Sequence, residues 1–135
     1  MEKRKAYTLV ELLAVIIILI IVLAVVVPIL RGRIDAAKWS EGKTLMGIIS
    51  EALRVYIAEK GRSYINFDSI GMGTLGFVEA DLTGTYFKPE DFQWTGRYDM
   101  PRNEILFMVI AFAPDEINSP SMVTVDQDGK WVEFP

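Results

Sequence analysis

The 135-residue chain contains no cysteine and no histidine. Without cysteine it has no disulfide, no thiolate metal ligand and no thiol nucleophile. Without histidine it lacks the imidazole that general bases, serine triads and many zinc centres use. Asp, Glu, Lys or Tyr could still act in catalysis, but the sequence shows no clustered set of polar residues. We therefore expect a protein that is not an enzyme.

Charge is distributed unevenly along the chain, although the net charge is only −4. Residues 1–63 carry ten Lys and Arg against six Asp and Glu, a balance of +4. Residues 64–135 carry four against twelve, a balance of −8. We do not expect such an acidic half to bind nucleic acid, because binding requires a basic surface. The acidic side chains also serve to keep an exposed domain soluble.

The longest feature of the sequence is an apolar block from Leu12 to Leu30, nineteen residues without a charged or polar side chain. As a helix it spans about 28 Å at ~1.5 Å per residue, close to the ~30 Å hydrocarbon core of a bilayer. A core helix is disfavoured because the remaining chain is too short to surround it. A signal peptide is the stronger alternative, but the block is long and Val25-Val26-Val27-Pro28 offers no small-x-small cleavage site. The block therefore predicts a single membrane-spanning helix.

Charged residues at the start of the apolar block indicate its orientation in the membrane and include one acid, Glu11, in an apolar stretch. Lys3, Arg4 and Lys5 favour a cytoplasmic N-terminus. Glu11 lies between Val10 and Leu12, where an ionised carboxylate is costly unless it is paired. Glu11 is therefore a functional candidate, or else it lies among lipid headgroups at the membrane boundary.

The first 30 residues resemble the N-terminus of type IV prepilins and type II secretion pseudopilins. The resemblance depends on a basic leader, a small residue, an aromatic residue, an acid five residues into the processed chain and a proline at its twenty-second position. These are met by Lys5-Ala6-Tyr7-Thr8-Leu9-Val10-Glu11-Leu12 and by Pro28. Ala6 stands where most members of the family have glycine.

The resemblance implies cleavage between Ala6 and Tyr7 by a prepilin peptidase, N-methylation of Tyr7, and roles for Glu11 and Pro28 in assembly. It further implies a filament of self or related subunits, which an inner-membrane platform protein and an assembly ATPase draw from the inner membrane. The C-terminal domain would lie outside that membrane, in a periplasmic pseudopilus or a surface pilus. The new ammonium on Tyr7 could neutralise Glu11 of a neighbouring subunit.

The rest of the chain predicts an α+β fold in which one long helix packs on a small antiparallel sheet. Apolar residues recur at helical spacing to Lys60, and Gly61 is a natural stop signal. The predicted organisation is a leader (1–6), a transmembrane assembly helix (7–30), an amphipathic continuation (31–61), a connecting loop region (62–93) and the sheet (94–135). The candidate strands are Gly96–Met100, Ile105–Phe112, Met122–Asp126 and Lys130–Phe134.

The segment Asp126-Gln127-Asp128-Gly129 admits two interpretations. It is typical of a hairpin turn, with Gly129 at a positive φ. Asp126 and Asp128 also form a D-x-D pair that could bind Ca²⁺, although the complete calcium loop is absent. We favour the turn and expect no cofactor.

Two other functions stay open. A single-pass protein could tether a binding domain at the membrane without polymerising, and it would need neither the cleavage site nor Glu11 in register. A DNA-uptake pilin would need Arg97, Arg102 and Lys130 to cluster.

Overall fold

The chain forms one long helix followed by a four-stranded antiparallel sheet, as shown by a computed structural model that describes residues 7–61 and 65–135. The helix, α1, runs from Leu9 to Lys60. The strands follow in the order β1-β2-β3-β4 and are β1 (Phe92–Asp99), β2 (Glu104–Phe112), β3 (Met122–Asp126) and β4 (Trp131–Phe134). The predicted α+β fold is confirmed.

Four short 3₁₀ helices occupy the connection between α1 and the sheet, at Phe67–Ser69, Gly73–Leu75, Glu79–Leu82 and Pro89–Asp91. The helix ends as the sequence predicts, because Gly61 follows it at φ +69°, a conformation that glycine adopts without steric cost. The sheet begins at Phe92, slightly earlier than predicted. Its first strand extends this far because it pairs along β2 from Phe92↔Ala111 to Asp99↔Glu104.

The chain divides into two compact units, Met1–Ile34 and Asp35–Pro135. In the first unit every described residue, from Tyr7 to Ile34, is exposed. This part of α1 contains a window of mean hydropathy 3.6 in which no residue is buried, long and apolar enough to cross a membrane. The described residues of the unit therefore present an apolar surface that lipid or another chain could cover.

The second unit has a hydrophobic core made by α1, the connection and one face of the sheet. The helix contributes side chains spaced three or four residues apart, as a single helical face requires. Strand β2 contributes alternate residues, as one face of a sheet requires. The buried side chains include Trp39, Met46, Ile49 and Leu53 from the helix, Phe87 from the connection, and Phe107, Val109, Ala111, Val123 and Val125 from the sheet.

Three side chains near the start of this unit tie α1 to the β2–β3 connection. Asp35 accepts a hydrogen bond from the Asn118 N–H at 3.3 Å. Lys38 Nζ donates to the Glu116 carbonyl at 2.9 Å, and Trp39 Nε1 donates to the Pro120 carbonyl at 3.0 Å. Because the three partners lie in one loop, this loop is fixed to the helix by polar contacts in addition to core packing.

Glu41 fixes a second loop to the same helix. Its Oε1 accepts the N–H groups of Tyr86 at 2.8 Å and Phe87 at 3.0 Å. Burial raises the pKa of Glu41, but hydrogen bonds from Phe87, Tyr86 and Thr85 outweigh that effect, so the pKa is lowered. The carboxylate is therefore the form that holds the loop.

Candidate assembly site at the helix N-terminus

The helix α1 begins with a reciprocal hydrogen-bonded cap between Thr8 and Glu11. The Thr8 N–H donates to Glu11 Oε2 at 2.8 Å, and the Glu11 N–H donates to Thr8 Oγ1 at 3.2 Å. The Thr8 hydroxyl also lies 3.1 Å from Glu11 Oε2. This is a capping box, in which two backbone donors that a helix start leaves unpaired are satisfied by side chains. It explains why the helix starts at Leu9.

The capping box gives Glu11 a local role that the sequence analysis missed. The spacing Thr-x-x-Glu before an apolar run is a known sequence signal for this cap, so the motif could have been found. The cap satisfies hydrogen-bonding groups but does not neutralise the carboxylate. The helix dipole also favours an anion at this end. Glu11 can therefore cap the helix and still bind a cation.

Tyr7 lies immediately before the cap, and 85% of its surface is exposed. The predicted cleavage partner, Ala6, lies outside the described residues. The Glu11 carboxylate accepts a hydrogen bond from the Thr8 N–H. The backbone nitrogen of Tyr7 belongs to the residue just before Thr8, so it lies near the same carboxylate. A new ammonium at Tyr7 would thus form next to this acid within the same chain.

Pro28 lies inside α1, and the helix continues through it. Proline has no N–H, so the carbonyl four residues earlier, at Ala24, loses its helical donor. Gly32, one turn later, adds a second weak position, since a glycine costs about 1 kcal/mol relative to alanine in a helix. The segment from Ala24 to Gly32 is therefore a weak part of the apolar helix.

The two predicted calcium candidates serve the β3–β4 turn. Asp126 Oδ1 accepts the N–H groups of Asp128 at 3.0 Å and Lys130 at 2.9 Å. Asp128 Oδ2 accepts from Gln127 Nε2 at 3.1 Å, and Gly129 has φ +77°, as the turn interpretation requires. Within residues 7–61 and 65–135 no group of three acidic side chains could hold a metal ion. These residues form the predicted hairpin turn.

Comparison of the chain with protein-family models, with curated proteins and with solved structures found no match. The function of the chain is therefore inferred from its own residues.

Proposed function

We propose that this chain is a structural subunit, a pilin or pseudopilin, of a type IV pilus or a type II secretion filament. The observation that carries the proposal is the acidic cap at the N-terminal end of an exposed apolar helix. Glu11 is the acidic residue of the first helical turn, and every residue of the block that follows is exposed. Such a helix needs a covering of lipid before assembly and a covering of other subunits afterwards.

The proposed maturation gives Glu11 a cationic partner. Cleavage between Ala6 and Tyr7 would remove the basic side chains Lys3, Arg4 and Lys5 and create an ammonium on Tyr7, the expected site of N-methylation. This ion pair gains Coulomb energy when neighbouring subunits bring the two opposite charges together. Desolvation offsets much of that gain. The pair therefore selects the position of neighbouring subunits, and the apolar surfaces supply the cohesion.

The same proposal assigns the location and the partners of the chain. The N-terminus lies in the cytoplasm, α1 crosses the inner membrane and the second unit lies outside it. The partners are the prepilin peptidase, the platform protein, the assembly ATPase, and identical or related subunits of the filament. The unit Asp35–Pro135 would be displayed along the filament, and catalysis is not part of the proposed role.

Two substitutions separate the charge of Glu11 from its capping role. Glu11→Gln keeps an oxygen acceptor for the Thr8 N–H, because a capping box accepts Glu or Gln, but it removes the charge. Glu11→Ala removes both. Measured as sheared filament per processed subunit in cells with the assembly machinery, both variants should lose filament. Thr8→Val, which keeps the carboxylate, is the matched control and should assemble. Normal filament yield from Glu11→Ala would refute the assembly role of Glu11. If Glu11→Gln alone gave a normal yield, the capping hydrogen bond of this residue would matter for assembly and its charge would not.

A tethered binding domain that does not polymerise is the competing function, favoured by the single apolar helix near the N-terminus. Mass spectrometry of the mature protein distinguishes the two. A chain that starts at methylated Tyr7 supports the filament subunit. A chain that keeps its first six residues, or one cut beyond Pro28, supports the tether or an exported protein.

A further inference from the structure

Two arginines lie at the end of the apolar block that is farther from the N-terminus. Arg31 follows directly after Leu30, Arg33 lies two residues later, and both are exposed residues of α1. Among residues 7–34 the charged side chains are Glu11, Arg31 and Arg33. The described part of the apolar helix therefore has one acid near its start and two bases at its end.

Neither arginine has an anionic partner within residues 7–61 and 65–135. One helical turn after Arg31 lies Asp35, which is only 7% exposed and whose Oδ2 accepts the Asn118 N–H. The positions three and four residues from Arg33 are occupied by apolar side chains on both sides: Ile29, Leu30, Ala36 and Ala37. The two guanidinium groups can therefore donate to a ligand outside the described chain.

The length of the apolar block indicates where these arginines lie in a membrane. From Leu12 to Leu30 the helix spans about 28 Å, close to the ~30 Å hydrocarbon core of a bilayer. With Glu11 at one boundary of that core, Arg31 lies at the other. A shift of one helical turn, ~5.4 Å, in either direction would move one of these charges into hydrocarbon, where a charged side chain is costly. Arg31 and Arg33 are therefore expected at the level of the lipid headgroups.

The spacing of the two arginines favours lipid over a docked protein as their partner. Residues two positions apart in an α-helix are separated by about 200° around its axis, so Arg31 and Arg33 lie on nearly opposite sides. Lipid surrounds a single membrane helix, whereas a protein docked on one face would reach one of the two. The planar guanidinium group also matches a phosphate, to which it can donate two parallel hydrogen bonds.

We propose that Arg31 and Arg33 bind the phosphate groups of anionic phospholipids at this end of the apolar helix. Anionic lipids are favoured over zwitterionic ones because their net charge adds to the attraction for a basic residue. The contacts fix the depth of the helix, and a subunit that leaves the membrane must release them. This inference rests on the membrane-spanning helix of the proposed function, and it requires neither leader cleavage nor polymerisation.

Photoreactive lipids test the contact at the level of the residues. The full chain is placed in mixed vesicles of phosphatidylcholine and phosphatidylglycerol, with a trace of either lipid carrying a diazirine in its headgroup. Peptide mass spectrometry then locates the cross-links. Within residues 29–35, photoreactive phosphatidylglycerol should label the natural chain at least fivefold more than photoreactive phosphatidylcholine. One basic residue near an anionic surface corresponds to about a fivefold change in association.

Charge substitutions test whether the two arginines cause this preference. Arg31→Gln combined with Arg33→Gln should lower the phosphatidylglycerol labelling of residues 29–35 at least fivefold. The matched control combines Arg97→Gln with Lys130→Gln, which removes the same charge from two exposed positions of the second unit. This control should keep the labelling of the natural chain. Flotation of each variant with the vesicles measures insertion, which should be equal because the apolar block is unchanged.

Three results would overturn the proposal. Equal labelling of the natural chain by the two lipids would show that no headgroup is preferred. Full phosphatidylglycerol labelling of the variant without the two arginines would show that the apolar helix alone recruits the lipid. An equal loss of labelling in the control would show an effect of net charge and not of this position.

The same experiment distinguishes failure of this inference from failure of the proposed function. A chain that does not float with the vesicles would contradict both, because neither holds without membrane insertion. A chain that inserts without a lipid preference would contradict the lipid contact and leave the filament subunit standing. A chain that shows the preference but keeps its first six residues in cells would support the lipid contact and favour the tether.

Discussion

At the scale of single residues, Glu11 caps the helix and carries a negative charge at its first turn. Its hydrogen bonds with Thr8 define the first turn of α1. Its charge remains available to a cation, because the two groups that donate to the carboxylate, the N–H and the hydroxyl of Thr8, are neutral. A Thr-x-x-Glu cap thus holds the carboxylate beside the residue at which the proposed cleavage creates an ammonium.

The capping contact can be tested by itself. Thr8→Val removes the hydroxyl that accepts the Glu11 N–H, whereas Thr8→Ser keeps it. Loss of an N-cap costs about 0.5–2 kcal/mol, so amides in the first turn should exchange with solvent several-fold faster in Thr8→Val. Hydrogen exchange of the full chain in detergent measures this, with Thr8→Ser as the control. Identical exchange in both variants would show that the cap does not stabilise this end.

Glu41 predicts a dependence of stability on pH. Its folded pKa lies below the ordinary value of 4.5. Its contribution to stability is therefore complete above the unfolded pKa and is lost as the pH falls from about 4.5 through the lower folded pKa. The difference in unfolding free energy between the natural chain and Glu41→Gln should be largest near neutral pH and shrink below pH 4.5. Denaturant unfolding at several pH values measures it, and a difference that grows in acid would contradict the assignment.

At the scale of elements, α1 and the connection pack closely at Gly42. A Cβ at this position would lie 2.6 Å from the Phe87 ring, whereas a Cβ at Gly47 would meet nothing within 4 Å. Phe87 is buried and its ring centroid lies 5.0 Å from that of Trp39. The ring therefore cannot move away without disturbing the core.

The two glycines predict opposite effects of the same substitution. Gly42→Ala should destabilise the second unit by about 1–3 kcal/mol, the usual cost of overpacking a core. Gly47→Ala should stabilise it by about 0.5–1 kcal/mol, because alanine favours a helix and the space is open. Thermal unfolding of both full-length variants under the same conditions gives the comparison. Equal effects would mean that helix propensity alone determines the change in stability, and that the Phe87 ring moves away from a Cβ at position 42 without cost.

The sequence pattern predicted the helix and the strands of this chain well, but it did not predict which residues contact each other in the folded protein. The helix end at Gly61 and the β3–β4 turn at Gly129 follow from local chemistry, and the structure confirms both. The uninterrupted apolar run of β2 predicted a strand, yet it gave no information on which side faces the core. The Glu41 contact with Phe87 joins residues 46 positions apart, so no local pattern could indicate it. Sequence alone therefore singled out Glu11 as a candidate but did not reveal its cap or the contact between Glu41 and Phe87.

At the scale of the whole molecule, the proposed passage from membrane to filament changes the environment of the apolar helix. In lipid, an unpaired carbonyl is costly, so the helix keeps as many internal hydrogen bonds as it can. In a filament, neighbouring chains and water can satisfy such groups. The segment from Ala24 to Gly32 already lacks one helical bond at Pro28.

We therefore predict that, if the chain polymerises, residues 24–32 lose helical structure on assembly while the rest of α1 keeps it. Hydrogen exchange should show these amides protected in the membrane-inserted subunit and less protected in the filament. The variant Pro28→Ala with Gly32→Ala strengthens the helix by roughly 3–4 kcal/mol on peptide scales, and it should insert and be processed normally but assemble poorly. Gly47→Ala is the control, because it strengthens the helix outside the segment. A filament map with continuous helix through Pro28 would contradict this prediction and leave the proline without a role in assembly.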